Sequence, residues 1–280
     1  MATVPAYRSL RELREELAEE TSREGLAREC RWQALAGMAP GDAEASWLER
    51  ARALVEEAGG GGAGDEILGV VSQLKGGLTA ATRVVEALKA STTTVDLTWV
   101  QRGARQAREL PWQTGVRWAR ELRARHGLGN GRLPNQRLSE LLAVPIPLQG
   151  VPMRQDRALG GGYRNGVSNG RTRVGLPSHI QVQQRFFLAR MIAGATCLDA
   201  SEHVIPVTTG DSALQKIERS FAQELLCPWE ALDAFTDEQG VDADGILEAA
   251  EHFQVSEYVV RTTLVNRGKM SRDQLPTGSA

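Results

Sequence analysis

Apolar positions along the chain recur mostly at helical spacing. Residues 8 to 58 carry that period among dense Glu and Arg, and a second helical stretch, DEILGVVSQLKGGLTAATRVVEALKAS, ends near Ser91. Between them the cluster GGGGAG at 59–64 reads as a linker or loop. TTTVDLTWV is β-rich in composition, but a helical pattern follows at once, so it reads as a junction. Around 112 to 126, Trp112, Val116, Ala119 and Leu122 form a stripe expected to pack on a core. VPIPLQGVPM and RTRVGLPS read as short strands, the first near a sheet edge because of its prolines. The Asn-Gly pairs of GGGYRNGVSNGRTR signal tight β-turns between them. Pro177 and Ser178 read as stop and cap for a helix containing RFFLARMIAG. Leu214, Ile217, Phe221 and Leu225 mark a later helix ended by Pro228, and helices starting near Asp244 and Ser256 form a closing hairpin, 245–268.

With 280 residues, 41% of them hydrophobic, the chain can bury one large core or two modest ones. A net charge of -2 gives no global attraction to nucleic acid or anionic membrane. Cys30, Cys197 and Cys227 lack C-x-x-C spacing and are expected to be reduced, buried thiols. The N-terminus has no secretory apolar stretch, and the most apolar run, 186 to 198, contains Arg190 and cannot cross a bilayer. The expectation is a soluble, cytoplasmic protein.

The segment RFFLARMIAG resembles the active-site helix of the ImmA/IrrE family of zinc metallopeptidases, RF-x-LA-H-E-x-x-H, with Arg190, Met191 and Gly194 at the three catalytic places. Residues 111 to 146 are similar to the family's opening helices, 217 to 232 to its FAAELLMP helix, and 250 to 268 to its FGVS hairpin. The resemblance implies an α+β, predominantly helical fold. Residues 106–280 would form a zincin-like domain with a small twisted sheet packed on helices, and residues 1–105 a preceding N-terminal helical region. It also implies a third zinc ligand near Glu218, although Ile217 competes for that register.

The residues at these places do not suit zinc. A peptidase zinc needs about three ligands drawn from imidazole, thiolate or carboxylate. A guanidinium such as that of Arg190 stays protonated, Met191 offers a soft thioether, and Gly194 has no side chain. His126, His179, His203 and His252 include no pair within one helical turn, so a replacement site would need His179, His203 and Glu218 to meet in space. If Glu218 faces Arg190, the guanidinium would stand where the metal stood. A solvent-facing Arg190 unrelated to Glu218 is the equal alternative.

Three further signals bear on chemistry. GVSNG, 166 to 170, matches a serine-hydrolase nucleophile elbow formally, but its surroundings favour a hairpin tip around Ser168. The glycine cluster continues as Gly64-Asp65-Glu66, whereas a phosphate cradle needs lysine and a hydroxyl there. Residues 101–137 hold nine arginines (102, 105, 108, 117, 120, 123, 125, 132, 137) against Glu109 and Glu121, while 228 to 260 hold nine acids and no Lys or Arg. The basic block would suit nucleic acid. The opposed blocks favour instead a solvated surface, or packing on each other or on a protein partner. The closing hairpin resembles a helix-turn-helix carrying Arg261 and Arg267, but Asp237, Glu238, Asp242, Asp244, Glu248 and Glu251 would repel phosphates.

The family cleaves repressor- or antitoxin-like proteins in stress, mobile-element or phage control. The expectation is therefore a member without zinc or proteolysis that acts as a non-catalytic regulatory or protein-binding factor. Two alternatives stand beside it: an active zinc endopeptidase with non-standard ligands, and a DNA-binding transcriptional regulator.

Overall fold

A computed structural model describes residues 10–148, 158–164, 171–176 and 178–275. Its organising element is an antiparallel sheet of four strands in the order β1-β3-β2-β4, with β1 at Thr94–Asp96, β2 at Leu159–Arg164, β3 at Arg171–Gly175 and β4 at Val204–Thr208. Tyr163 lies opposite Arg173 on one side and Val204 on the other. Strand residues alternate between two faces, and each face is covered by helices.

On one face, Leu159, Tyr163 and Val204 join a core with Trp32, Leu54, Ile67, Leu68, Leu78, Val85 and Leu88. These come from α1 (Leu10–Leu35), α2 (Ala45–Glu57), α3 (Gly61–Leu68) and α4 (Gly77–Ala90). On the other face, Val95, Val174, Ile205 and Val207 join the larger core. That core is built from α5 (Pro111–Arg125), α6 (Asn135–Leu142), α7 (Gln181–Cys197), α8 (Ala213–Leu226), α9 (Trp229–Gln239), α10 (Ala243–Phe253) and α11 (Glu257–Asn266). The sheet is thus the middle layer between two groups of helices.

The glycines of β2 explain how closely α7 approaches. A Cβ on Gly160 would lie 2.8 Å from the Phe187 ring, and one on Gly162 would lie 2.9 Å from the Met191 sulfur. Only a strand bare on that face lets both side chains press against its backbone. A second contact of this kind joins α5 to α8, where a Cβ on Gly115 would lie 2.3 Å from the Ile217 carbonyl oxygen.

Several sequence expectations are corrected. TTTVDLTWV is not a junction: it carries β1, which pairs with β3 through Val95 opposite Thr172. The edge strand therefore comes from the N-terminal region, and the sheet crosses the expected boundary at 105/106. The glycine cluster is not a linker either, since only Gly59 and Gly60 form a turn and Gly61 starts α3. The buried carboxylate of Glu202 accepts hydrogen bonds from the amides of Ala63, at 2.9 Å, and Gly62. A Cβ on Gly62 would sit 2.5 Å from that carboxylate. The amides of this helix start hold an anion, and the anion is the chain's own.

Residues 144 to 148 of VPIPLQGVPM form no strand, and 149 to 153 lie outside the described residues. RTRVG forms β3 as expected, whereas Ser168 and the Asn-Gly turns lie outside the described residues. Ser178 does not cap α7: the N-cap is Ile180, whose amide donates to Ser178 Oγ, and Pro177 is not described. Trp112 is 49% exposed and leaves the expected core stripe, its place inside being taken by Trp118. Cys227 is buried, but Cys30 and Cys197 are only partly so. The closing hairpin follows the expected pattern, with Asp242 capping α10 and Ser256 capping α11. Among the described residues no helix is long and apolar enough to cross a membrane.

Gly115→Ala should destabilise the protein by about 1–3 kcal/mol, because the facing backbone of α8 has to move. Gly25→Ala, in open space within α1, should instead be neutral or stabilising by about 0.5–1 kcal/mol. Urea unfolding of both variants checks the contrast.

Candidate functional site

α7 carries two arginines on an otherwise buried stretch. Arg185, which sequence reasoning passed over, is fully buried, with Nε donating to Gln254 O at 3.1 Å, Nη2 to Leu133 O at 2.6 Å and Nη1 to Asn135 Oδ1. It ties the turn of the closing hairpin to the start of α6. Burial pulls its pKa down to about 10. The surrounding polar groups at Gln254, Leu133 and Asn135 were scattered in sequence, and only a charged residue at a core-facing helical position could have flagged it.

Arg190, five residues further on and so on a different side of the helix, points toward α8. Its Nη2 donates to Thr208 O at 2.6 Å, to Gln215 Oε1, and to Glu218 Oε2 at 3.2 Å. The Glu218 side chain is 0% exposed and that of Arg190 11%. Of the alternatives left open by the sequence, the facing pair is the one observed. Ile217 lies in the apolar core, so Glu218 is the residue that meets Arg190.

The network continues outward. Gln215 Oε1 also accepts from the Thr208 amide, while Gln215 Nε2 and Ser212 Oγ donate to Glu66 Oε2 at 3.0 and 2.8 Å. Glu66 belongs to α3, so a polar chain runs from the N-terminal helices to the α7–α8 crossing. Two buried atoms within it, Glu218 Oε1 and Arg190 Nε, have no hydrogen-bond partner among the described residues. Burial pushes the Glu218 carboxyl up to about 8, against the opposing pull of Arg190. Burial likewise lowers the pKa of Arg190.

The other two motif positions are packed against ligation. Met191 is buried under Gly162. A Cβ on Gly194 would lie 2.7 Å from Ile205 Cγ2 and 2.9 Å from Glu218 Oε1, so the space a second imidazole would occupy is already filled. The donor set at this crossing, one carboxylate beside one guanidinium, does not fit zinc. His179 is exposed, and His203 Nδ1 lies 3.4 Å from Glu57 O, so neither joins Glu218. His126 packs edge-on to Trp99 and His252 beside Phe235. Among the described residues, no three His, Cys, Asp or Glu side chains are grouped so that they could hold a metal ion.

Arg190 reaches the floor of a cleft of about 620 Å³ between α7, α8 and α11. Phe186, Tyr258 and Trp112 supply its apolar wall, and Lys216 and Arg219 stand along α8. Trp112, misplaced in the expected core, is thus a cleft residue.

The arginine block is largely engaged within the molecule. Arg117 pairs with Glu109 and Glu121, Arg102 with Asp199, and Arg137 with Glu140. Arg123 is buried on the carbonyls of Gly129, Gly131 and Leu225, and Arg105 bonds Cys197. Arg120 bridges Glu224 and Glu230, so the basic and acidic blocks meet at that point. In the hairpin, Arg261 pairs with Glu257 and Arg267 stacks on Trp229. Charge already neutralised within the fold adds little to phosphate binding.

Comparison with known proteins finds no matching family model, no matching curated protein and no matching solved structure.

Two variants probe the pair. Arg190→Ala should cost on the order of 3 kcal/mol, because it strands a buried carboxyl; unchanged stability would exclude a structural pair. Glu218 has a folded pKa near 8 against an ordinary 4.5, so its contribution to stability is complete below pH 4.5 and is lost as pH rises toward 8. Glu218→Gln should therefore gain on wild type in urea unfolding at pH 8 relative to pH 5, and parallel pH profiles would refute the assignment.

Proposed function

We propose that this chain is a non-catalytic regulatory protein, built on a zincin-like framework of the ImmA/IrrE type, that binds a protein partner through the cleft above Arg190. The observation that carries the reading is the Arg190–Glu218 pair. A fixed guanidinium stands beside the one acidic residue that the family resemblance places at the metal, and it donates to one of that carboxylate's two oxygens. Such a centre can donate hydrogen bonds and attract anions, but it cannot generate a metal-bound nucleophile.

The cleft supports the binding half of the proposal. Large apolar side chains left exposed beside charged groups are a frequent mark of a protein contact, and Trp112 and Tyr258 are 49% and 40% exposed there. The resemblance names the class of partner, a repressor- or antitoxin-like protein in stress, mobile-element or phage-related control. Nucleic-acid binding through 101–137 is the weaker reading, because so many of those arginines are committed internally.

Metal analysis of the full chain, purified without chelator and with zinc supplied during growth, tests the catalytic half. The expected result is less than about 0.1 zinc per chain and no cleavage of unfolded protein substrates, since the ligand set is incomplete. Tightly bound stoichiometric zinc together with peptide-bond hydrolysis would overturn the proposal.

A further inference from the structure

The cleft has an electrostatic polarity as well as an apolar wall. Three cations line it, Arg190 on the floor and Lys216 and Arg219 along α8, against a single acid, Asp211. Asp211 is already paired with Arg219 Nη1 at 3.1 Å. Lys216 is exposed and makes no ion pair among the described residues. At the floor, Arg190 directs Nη2 to its three acceptors, and its Nε remains buried without a partner. A desolvated guanidinium at the base of a partly apolar cleft acts on an anion more strongly than one in water.

The same cleft also suits bulky side chains. Trp112, Phe186 and Tyr258 present ring surface, and Gln183, Gln223 and Asn266 supply amide groups that can pair with a peptide backbone. Apolar wall, amides and cations lie within one cavity.

We propose that this cleft receives an acidic peptide segment, with a side-chain carboxylate directed at Lys216 and Arg190 and a neighbouring bulky apolar residue packed against Trp112 and Tyr258. The assignment rests on the reading of the cleft as a partner-binding surface and names the chemistry of what it binds.

The test uses the full chain and three sets of fluorescein-labelled, C-terminally amidated decapeptides. Each peptide carries one leucine or phenylalanine, flanked by glutamates, by glutamines or by lysines. Amidation removes the C-terminal carboxylate, and the label's own negative charge is common to all three sets, so differences between the sets report the side chains. In anisotropy titrations the glutamate set should bind about tenfold tighter than the lysine set, with affinity falling as salt rises. Lys216→Glu and Trp112→Ala, both at exposed positions and checked for folding by circular dichroism, should each weaken binding of the glutamate set by about fivefold or more.

Equal binding of all three sets, weakened by Trp112→Ala, would overturn the acidic preference and leave the partner-binding reading standing. Binding indifferent to both variants would place the peptides elsewhere and overturn the site. Absence of binding by every set would overturn both readings, and zinc-dependent cleavage of the peptides would overturn the proposed function itself.

Discussion

A charged side chain taken from water into a protein interior has to find its hydrogen bonds there, and that demand shapes the centre of this molecule. Arg190 is drawn under the sheet by the helix that carries it, so Thr208, Gln215 and Glu218 must converge on one nitrogen. Because those groups belong to β4 and α8, the position of the guanidinium fixes how strand and helix meet. Gln215 passes the constraint on to Glu66, and so the N-terminal helices are referenced to the same point. The unpartnered Glu218 Oε1 shows where satisfaction is incomplete.

The sheet joins the two ends of the chain. β1 is supplied before α5 and pairs with a strand formed much later, while Leu159, Tyr163 and Val204 face the early helices. The bare faces of Gly160 and Gly162 then admit Phe187 and Met191, which sets how closely α7, the helix that carries Arg190, approaches the sheet. Met191, between the helix and the sheet, belongs to the core.

Much of this was legible from local patterns. Leu214, Ile217, Phe221 and Leu225 share a buried face as their spacing requires, and the closing helices start at Ala243 and Glu257, each within one residue of the expected place. The Arg190–Glu218 contact could be posed from sequence as one of two alternatives, but choosing between them needed the third dimension. What misled the reading was tertiary context. Three residues of β1 are too few for periodicity to separate a strand from a junction, and the glycines at 61 to 64 are poor helix formers stabilised by a distant carboxylate. Trp112 fell on an apolar stripe whose outer end opens on a cleft, and a one-dimensional pattern does not record where a core stops.

That distant carboxylate carries a consequence for how the molecule is made. Glu202 closes the start of α3 from 139 positions further along the chain, and the amide of Val204 reaches back to the carbonyl of Ala58. During synthesis the early helices leave the ribosome with their glycine-rich turn uncapped and one side of their core uncovered. They gain their final form only after about two hundred residues have emerged, a long wait at ordinary rates of translation. Over that interval their exposed apolar surface is a natural substrate for chaperones, and folding speed is governed by long loop closures.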